Sequence, residues 1–355
     1  MKQALLYEWK RILLPLCVIT AIATVLFTAA TLSADFVWST TTYDPELDQL
    51  VEIGTRPGNP LLNIPATILG VLCTLVPAMQ YAYRMKKRSV DLWYSLPVTR
   101  TKLMLVRTLG GFALVFIPYT VSYWAGFIVT ACSENLFYMV WYVPLFFASI
   151  PVGLALYGLN AFLFTRANTV GDGILFMLAW SPALIVAVLY FDNYFRLPDY
   201  LENLLHFCSY GPINELFIIF PEAVRTGVPE VAASDAAFLF TLWGVLGAAA
   251  YFGLFFTAKG HPAENAGRIS DSWFGYRVLI PFYLFFLALN VVGSSFLPSG
   301  IIDIAVLFVA GLVAYIVYRR SFRLKLADVL SIVLSIGAGC LLAIATLLIA
   351  LSALS

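Results

Sequence analysis

The residue types that most often perform chemistry are sparse in this chain and stand apart from one another. Asp172 lies between two glycines, a setting that occurs in intramembrane aspartyl proteases, but no second membrane aspartate is positioned to form a dyad with it. Ser294 and Ser295 have no histidine at a matching position, and His206 and His261 are far apart in sequence. The sequence also contains neither a P-loop nor the H-E-x-x-H zinc motif. These residues therefore predict no catalytic centre, no metal site and no nucleotide site.

Two acids that fall in or beside apolar segments have a simpler interpretation. Asp172 and Asp303 each follow a glycine closely, near the start of a predicted helix. A carboxylate near a helix N-terminus is stabilised by the positive end of the helix dipole. We therefore predict that both acids serve helix termini rather than catalysis.

The five cysteines carry little functional information. Cys17, Cys73 and Cys340 lie inside apolar runs, where a cysteine behaves as a small hydrophobic residue. Cys132 and Cys208 both fall in segments predicted below to lie outside the cell, so a disulfide between them is left open.

The composition determines the class of protein. Hydrophobic residues make up 61% of the 355 residues and charged residues 12%, whereas soluble domains carry about 25% charge. Such a chain has too few polar groups to cover a water-exposed surface. This excludes a soluble enzyme, a nucleic-acid binder and a disordered scaffold, and it predicts an all-α polytopic membrane protein.

Apolar runs of about 20 residues, the length that crosses the hydrocarbon core of a bilayer, predict about nine transmembrane helices. The seventh is the weakest, because its uninterrupted apolar core is short. The predicted spans are 12–32, 61–83, 108–131, 136–164, 170–190, 236–256, 278–292, 301–318 and 329–351.

The basic residues predict the orientation of these spans. With the N-terminus inside, all but three of the 21 basic residues fall on the inner side, and only Arg56, Arg196 and Arg225 fall outside. Because positive charge accumulates in cytoplasmic loops, this places the N-terminus in the cytoplasm and, with nine spans, the C-terminus outside. Two long outer segments result: an acidic one, 33–60, and one with short apolar stretches, 192–235, which predicts re-entrant or interfacial helices.

The most informative segment joins the second and third spans on the inner side. Val90, Trp93 and Tyr94 are spaced to form one apolar face of a short helix, which Leu96 and Pro97 would end. Thr99 is then placed to cap the next helix. Such a helix suits a groove on a soluble partner, and it equally suits the surface of an anionic membrane.

This segment resembles the type-2 (ABC-2-like) permeases of bacterial ATP-binding-cassette exporters. Two other segments strengthen the resemblance: 5–12 is similar to the family's amphipathic entry helix, and 261–268 is similar to a linker of its longer Gram-positive branch. A basic residue commonly stands near the position of His261 in that branch, and this chain departs from the pattern there. The residues that match the family's coupling motif are Arg88, Asp91, Leu92, Leu96, Pro97, Val98, Thr99, Arg100 and Lys102. The residues to which the resemblance assigns contact with the ATPase are Arg88, Asp91, Leu92, Trp93, Leu96, Pro97 and Arg100.

The resemblance implies a six-span permease core over 1–258, with an outer re-entrant region 192–235, a cytoplasmic linker over 259–277 and additional transmembrane helices over 278–355. It also implies an exporter subunit of the bacterial plasma membrane that has no catalytic activity of its own. A cytoplasmic ATP-binding subunit would bind ATP and Mg²⁺, and a second permease, the same or homologous, would complete the path for a peptide or lipid-like cargo. A self-sufficient secondary transporter and a polytopic membrane enzyme are the alternatives.

Overall fold

The computed structural model describes most of the chain. The described residues are 2–33, 37–44, 49–57, 62–95, 98–132, 139–195, 211–214, 216–217, 233–258, 260, 262–294 and 299–354. Most of the predicted outer region 192–235, including Cys208, lies outside them, and so do Leu96, Pro97 and His261.

The described residues are helical apart from one hairpin. The longer helices are α1 (Lys2–Ser33), α2 (Asn63–Tyr81), α4 (Arg100–Cys132), α5 (Met139–Phe164), α6 (Val170–Phe195), α8 (Ala233–Ala258), α9 (Tyr276–Ser294), α10 (Ser299–Arg319) and α11 (Leu326–Leu354). The shorter ones are α3 (Lys87–Tyr94), α7 (Gly211–Asn214) and two 3₁₀ turns, Ala82–Met85 and Ala263–Asn265.

The helices confirm a membrane-embedded, multi-pass protein. Within the described ranges, seven helical segments are long and apolar enough to cross a bilayer, and two shorter apolar segments, Val170–Ala183 and Tyr276–Val291, lie in α6 and α9. Each of the nine predicted spans overlaps one of these segments, and the number of crossings stays a prediction. The seven longer segments are Leu6–Ser33, Asn63–Met85, Arg100–Cys132, Tyr142–Phe164, Phe240–Ala258, Gly300–Arg319 and Leu326–Thr346.

The acidic segment 33–60 contains a β-hairpin that the sequence analysis did not predict. Strands β1 (Val37–Asp44) and β2 (Gln49–Pro57) pair antiparallel, with an irregularity between Thr40 and Thr41. The first strand is rich in threonine and aromatic residues, which favour extended backbone. Pro57 is the last residue of β2, where it does not interrupt the pairing, and Glu52 lies within that strand opposite Thr41.

The chain divides into two compact units, each built from separate stretches of sequence. The first unit comprises 1–80, 98–159 and 212–255, and the second comprises 81–97, 160–211 and 256–355. In the first unit α1 packs along α4. In the second unit α9 packs against α6, α10 and α11, around a core that includes Phe286, Leu289 and Ala343.

Helices α9 and α11 approach each other closely at Gly339. A Cβ built there would lie 2.5 Å from the carbonyl oxygen of Phe285 and 3.1 Å from the amide nitrogen of Leu289. Both neighbours are backbone atoms, which cannot move without displacing α9. Small residues at such crossings are what allow membrane helices to pack tightly.

We expect Gly339→Ala to lower the melting temperature of the purified protein, because the added methyl group forces α9 and α11 apart. Gly337→Ala is the matched control, two residues away in the same helix, since a Cβ there has nothing within 4 Å. That variant should be neutral or slightly stabilising, because alanine favours helix over glycine by about 1 kcal/mol. Equal melting temperatures for the two variants would contradict the close helix packing.

Candidate functional site

Helix α3 occupies the segment that the resemblance identifies as the coupling segment. It begins after Lys86, whose backbone is extended, and ends at Ser95, whose N–H donates to the carbonyl of Asp91 at 3.1 Å. The Ser95 hydroxyl donates to the carbonyl of Leu92 at 2.8 Å. Local hydrogen bonds therefore satisfy backbone groups at the C-terminal end of this short helix. In the sequence Pro97 follows two residues later, and a proline disfavours helical backbone in the residue before it.

The two faces of α3 have different surroundings. Val90 is only 1% exposed, and the ring of Trp93 meets that of Tyr83 edge to face, with the centroids 6.0 Å apart. Leu92 is 63% exposed, and Asp91 beside it is also exposed. The predicted apolar face thus packs within the second unit, and Leu92 is an apolar side chain directed away from it.

The other predicted coupling residues differ in their exposure to solvent. Arg88 is exposed and lies four residues before Leu92, so the two share one face of α3. Trp93, assigned by the resemblance to the ATPase contact, is half-buried against Tyr83. Arg100 is the exposed first residue of α4. Leu96 and Pro97 lie outside the described residues.

Helix α4 begins with the cap that the sequence predicts. The Lys102 N–H donates to the hydroxyl of Thr99 at 3.4 Å, and the Leu103 N–H donates to the carbonyl of Thr99 at 3.0 Å. These bonds satisfy two of the backbone N–H groups that a helix N-terminus leaves without partners.

Helix α3 rests on a surface that we call the inner platform, made of residues 165–169, which join α5 to α6, and residues 263–275, which lead into α9. The 3₁₀ turn Ala263–Asn265 contacts α3. The Gly267 N–H donates to the carbonyl of Asn168 at 2.9 Å, and Gly267 has a φ of +79°, a conformation that favours glycine. The Asn168 backbone N–H donates to the hydroxyl of Ser270 at 2.9 Å, and its side-chain amide donates to the carbonyl of Ile269 at 2.9 Å. Most of the linker predicted over 259–277 is therefore held in one conformation.

Asp172 fastens the inner platform to α6, α9 and the loop after α10. Its side chain is buried and accepts hydrogen bonds from the Ser270 hydroxyl at 2.6 Å and the Tyr276 hydroxyl at 2.9 Å. Arg320 lies 3.3 Å from the same carboxylate. The backbone N–H of Asp172 donates to the hydroxyl of Thr169 at 3.3 Å, at the start of α6. The predicted position at a helix N-terminus is confirmed, and the structure adds three side-chain donors that unite distant parts of the chain.

A cavity of about 510 Å³ opens beside the inner platform and is rich in arginine. Arg84 is 3% exposed, and its Nη1 is buried without a hydrogen-bond partner. Arg166 is half-buried; its Nη2 donates to the Thr257 hydroxyl, while its Nε is buried without a partner. We call this cavity the arginine pocket. Its lining residues are Arg84, Thr165, Arg166, Asn168, Phe256, Thr257, Gly260, Asn265, Arg268, Ile269, Asp271 and Ser272.

Electrostatics inside the arginine pocket are dominated by positive charge. Burial, together with the neighbouring positive charge of Arg84, lowers the pKa of Arg166 to about 10. The acid in the lining, Asp271, already accepts a hydrogen bond from the Tyr318 hydroxyl at 2.9 Å and pairs with Arg277 at 3.4 Å. The two inner guanidinium groups therefore lie together at the pocket, and among the residues that the structure describes no carboxylate is paired with either.

The first unit contains a second buried charge cluster that the sequence analysis missed. Glu8 is 3% exposed; it accepts a hydrogen bond from Arg11 and lies 3.4 Å from Nη1 of the fully buried Arg107. Arg11 also donates to the side-chain oxygen of Gln80. The signal for this cluster in the sequence was Glu8, an acid three residues before Arg11 near the start of the first predicted span. The segment 5–12 had been assigned to an amphipathic entry helix, but it continues without a break into the rest of α1.

Residues predicted on the inner side come together within each unit. Glu8, Gln80 and Arg107 meet in the first unit, while the inner platform joins Asp172 to Arg320 in the second. The side of the membrane on which each cluster lies, and with it the direction of the N-terminus, stays a prediction.

Labelling of intact cells tests that direction. A cysteine at position 48 should react with an impermeant reagent, because the acidic segment 33–60 is predicted to lie outside. A cysteine at position 322 should not react, although Phe322 is 90% exposed in the structure, because the membrane would shield the inner side. Reaction at 322 but not at 48 would reverse the predicted orientation.

Comparison of the chain with family models, with curated proteins and with solved structures gives no match. Within the described ranges, no three histidine, cysteine, aspartate or glutamate side chains come together in a way that could hold a metal ion.

Proposed function

We propose that this chain is the permease subunit of a bacterial ATP-binding-cassette exporter, embedded in the plasma membrane with its N-terminus in the cytoplasm. The observation that carries the proposal is the pair of faces on α3. Val90 anchors the helix within its own unit, while Leu92 and Arg88 are directed outward. A lone exposed leucine flanked by charges suits a small apolar contact whose orientation is set by its charged rim.

The platform beneath α3 gives the proposed contact a mechanical consequence. The 3₁₀ turn Ala263–Asn265 touches α3, and residues 267–270 are hydrogen-bonded to Asn168 between α5 and α6. A push on α3 would therefore reach the ends of α5, α6 and α9 through packed and hydrogen-bonded groups. Loops with unsatisfied backbone would absorb such a push locally.

The chain requires partners in this proposal. Its sequence has no P-loop, so ATP and Mg²⁺ are bound by a separate cytoplasmic subunit, and two permeases, identical or homologous, enclose the export path. The cargo proposed is a peptide or another amphipathic, lipid-like molecule.

Purification from native membranes tests the proposal. We expect a tagged chain to retain a Walker-motif ATPase in mild detergent, and the complex to transport only with ATP and Mg²⁺. Ion-driven transport by the chain alone, without nucleotide, would contradict the proposal and would indicate a secondary transporter. Turnover of a membrane substrate by the chain alone would indicate an enzyme.

A further inference from the structure

We infer that the arginine pocket is a binding site for a phosphate-bearing anion. The inference does not depend on the proposed function, because it is based on the pocket's own geometry. Three arginines on separate segments converge on it: Arg84 after α2, Arg166 after α5 and Arg268 in the linker.

Two guanidinium nitrogens at the pocket are buried and have no acceptor among the residues that the structure describes. Arg84 is 3% exposed, lines the cavity and has its Nη1 buried without a hydrogen-bond partner, and the buried Nε of Arg166 is in the same state. A buried donor without an acceptor costs about 1–3 kcal/mol, and more when it is charged. An anion in the pocket would remove that cost at both arginines at once.

The remaining lining of the pocket also contains polar side chains that suit an anion. Hydroxyl and amide groups of Thr165, Asn168, Asn265 and Ser272 supply further polar groups around the arginines. Planar guanidinium groups bind phosphate oxygens through paired hydrogen bonds, and hydroxyl and amide groups complete such sites in many proteins. The cavity of about 510 Å³ is larger than a phosphate ion and has room for an ester attached to it.

A simpler explanation for the arginines is that they stabilise the C-terminal ends of nearby helices. Helices α5 and α8 end at Phe164 and Ala258, and the carbonyl ends of helices favour cations. A helix dipole accounts for the sign of the charge, but it does not provide an acceptor for the buried Nη1 of Arg84. The test must therefore separate an anion site from arginines that only complement helix ends.

The pocket's position admits two sources of phosphate. Arg84 belongs to the last turn of the span Asn63–Met85, and Arg166 follows the span Tyr142–Phe164 by two residues, so the pocket lies at the depth where lipid headgroups meet water. A phospholipid headgroup and a soluble phosphate ester offer the same chemistry to the arginines. Either would link the ends of α5 and α8 to the linker that supports α3.

The experiment uses the full chain in dodecyl maltoside micelles, which contain no phosphate, and measures its melting temperature. One arm titrates inorganic phosphate against chloride at constant ionic strength, and the other adds phosphatidylglycerol to the micelles. We expect stabilisation in at least one arm: the phosphate arm identifies a soluble ligand, and the lipid arm a headgroup. No stabilisation in either arm would overturn the inference.

Variants show whether the stabilisation comes from the pocket. Arg268→Gln is expected to fold normally, since Arg268 is exposed, and to weaken binding about tenfold through the loss of a charged hydrogen bond. Arg84→Lys keeps the charge but loses the paired geometry, and it should weaken binding at least as much. Arg323→Gln is the matched control, since it removes the same charge from an exposed residue outside the pocket. Wild-type affinity in Arg268→Gln, or in a folded Arg84→Lys, would overturn the inference.

Discussion

Leu92→Asp is expected to release the partner ATPase while leaving the permease folded. A leucine that is exposed in the isolated chain and buried in a complex contributes about 1.5–3 kcal/mol, which corresponds to a loss of affinity of about 10- to 100-fold. An aspartate at that position must also be desolvated, which adds to the loss. The measurement is capture of the ATPase by the tagged variant, together with ATP-driven transport.

Two further variants make the result specific. Phe322→Asp introduces the same charge in place of another exposed apolar residue on the predicted inner side, and it should retain the ATPase. Val90→Ala removes packing beneath α3 without changing the outer face, so it should lower coupling of ATP hydrolysis to transport more than it lowers ATPase binding. Full ATPase binding and transport by Leu92→Asp would contradict the coupling role of α3. A membrane-surface role would instead be indicated if removal of Arg88 mattered more than removal of Leu92.

Asp172→Ala is expected to cause the largest loss of stability among substitutions in the second unit. Its buried carboxylate accepts hydrogen bonds from Ser270 and Tyr276 and faces Arg320, so the substitution leaves several polar groups without their partner. Hydrogen bonds to a charged group contribute about 1.5–3 kcal/mol each, so we expect the free energy of unfolding to fall by about 3 kcal/mol. The measurement is thermal or denaturant unfolding of the purified protein in detergent.

Asp271→Ala provides the comparison, since Asp271 also accepts a tyrosine hydrogen bond and pairs with an arginine in the same unit. Its side chain is 63% exposed, and that of Arg277 is 61% exposed, so solvent replaces much of what is lost. We expect a change below about 1 kcal/mol. A larger effect for Asp271→Ala than for Asp172→Ala would mean that the inner platform is not held by the buried carboxylate.

The class of protein and the positions of its helices could be predicted from the amino-acid sequence. Apolar runs near the length of a bilayer crossing have few ways to satisfy their backbone other than as helices, so each predicted span overlaps an observed helix. The apolar face of α3 and the Thr99 cap of α4 were also predictable, because residue spacing and capping chemistry act within a few residues. The hairpin over 37–57 was not predicted, since strand pairing depends on register and partner as much as on composition.

Which polar residues come into contact depends on how the chain folds in three dimensions. Asp172 is 98 residues from Ser270 and 148 from Arg320, and no local pattern relates them. The same holds for Arg84, Arg166 and Arg268, each of which looked like an ordinary positive charge at the inner end of a span. In the sequence alone, a positive charge in an inner loop is equally consistent with contact to water, to lipid headgroups or to a protein partner. The burial of the side chain distinguishes these cases. The loss of water around Arg84, which comes from packing between segments distant in sequence, is what distinguishes a binding site from a topogenic charge.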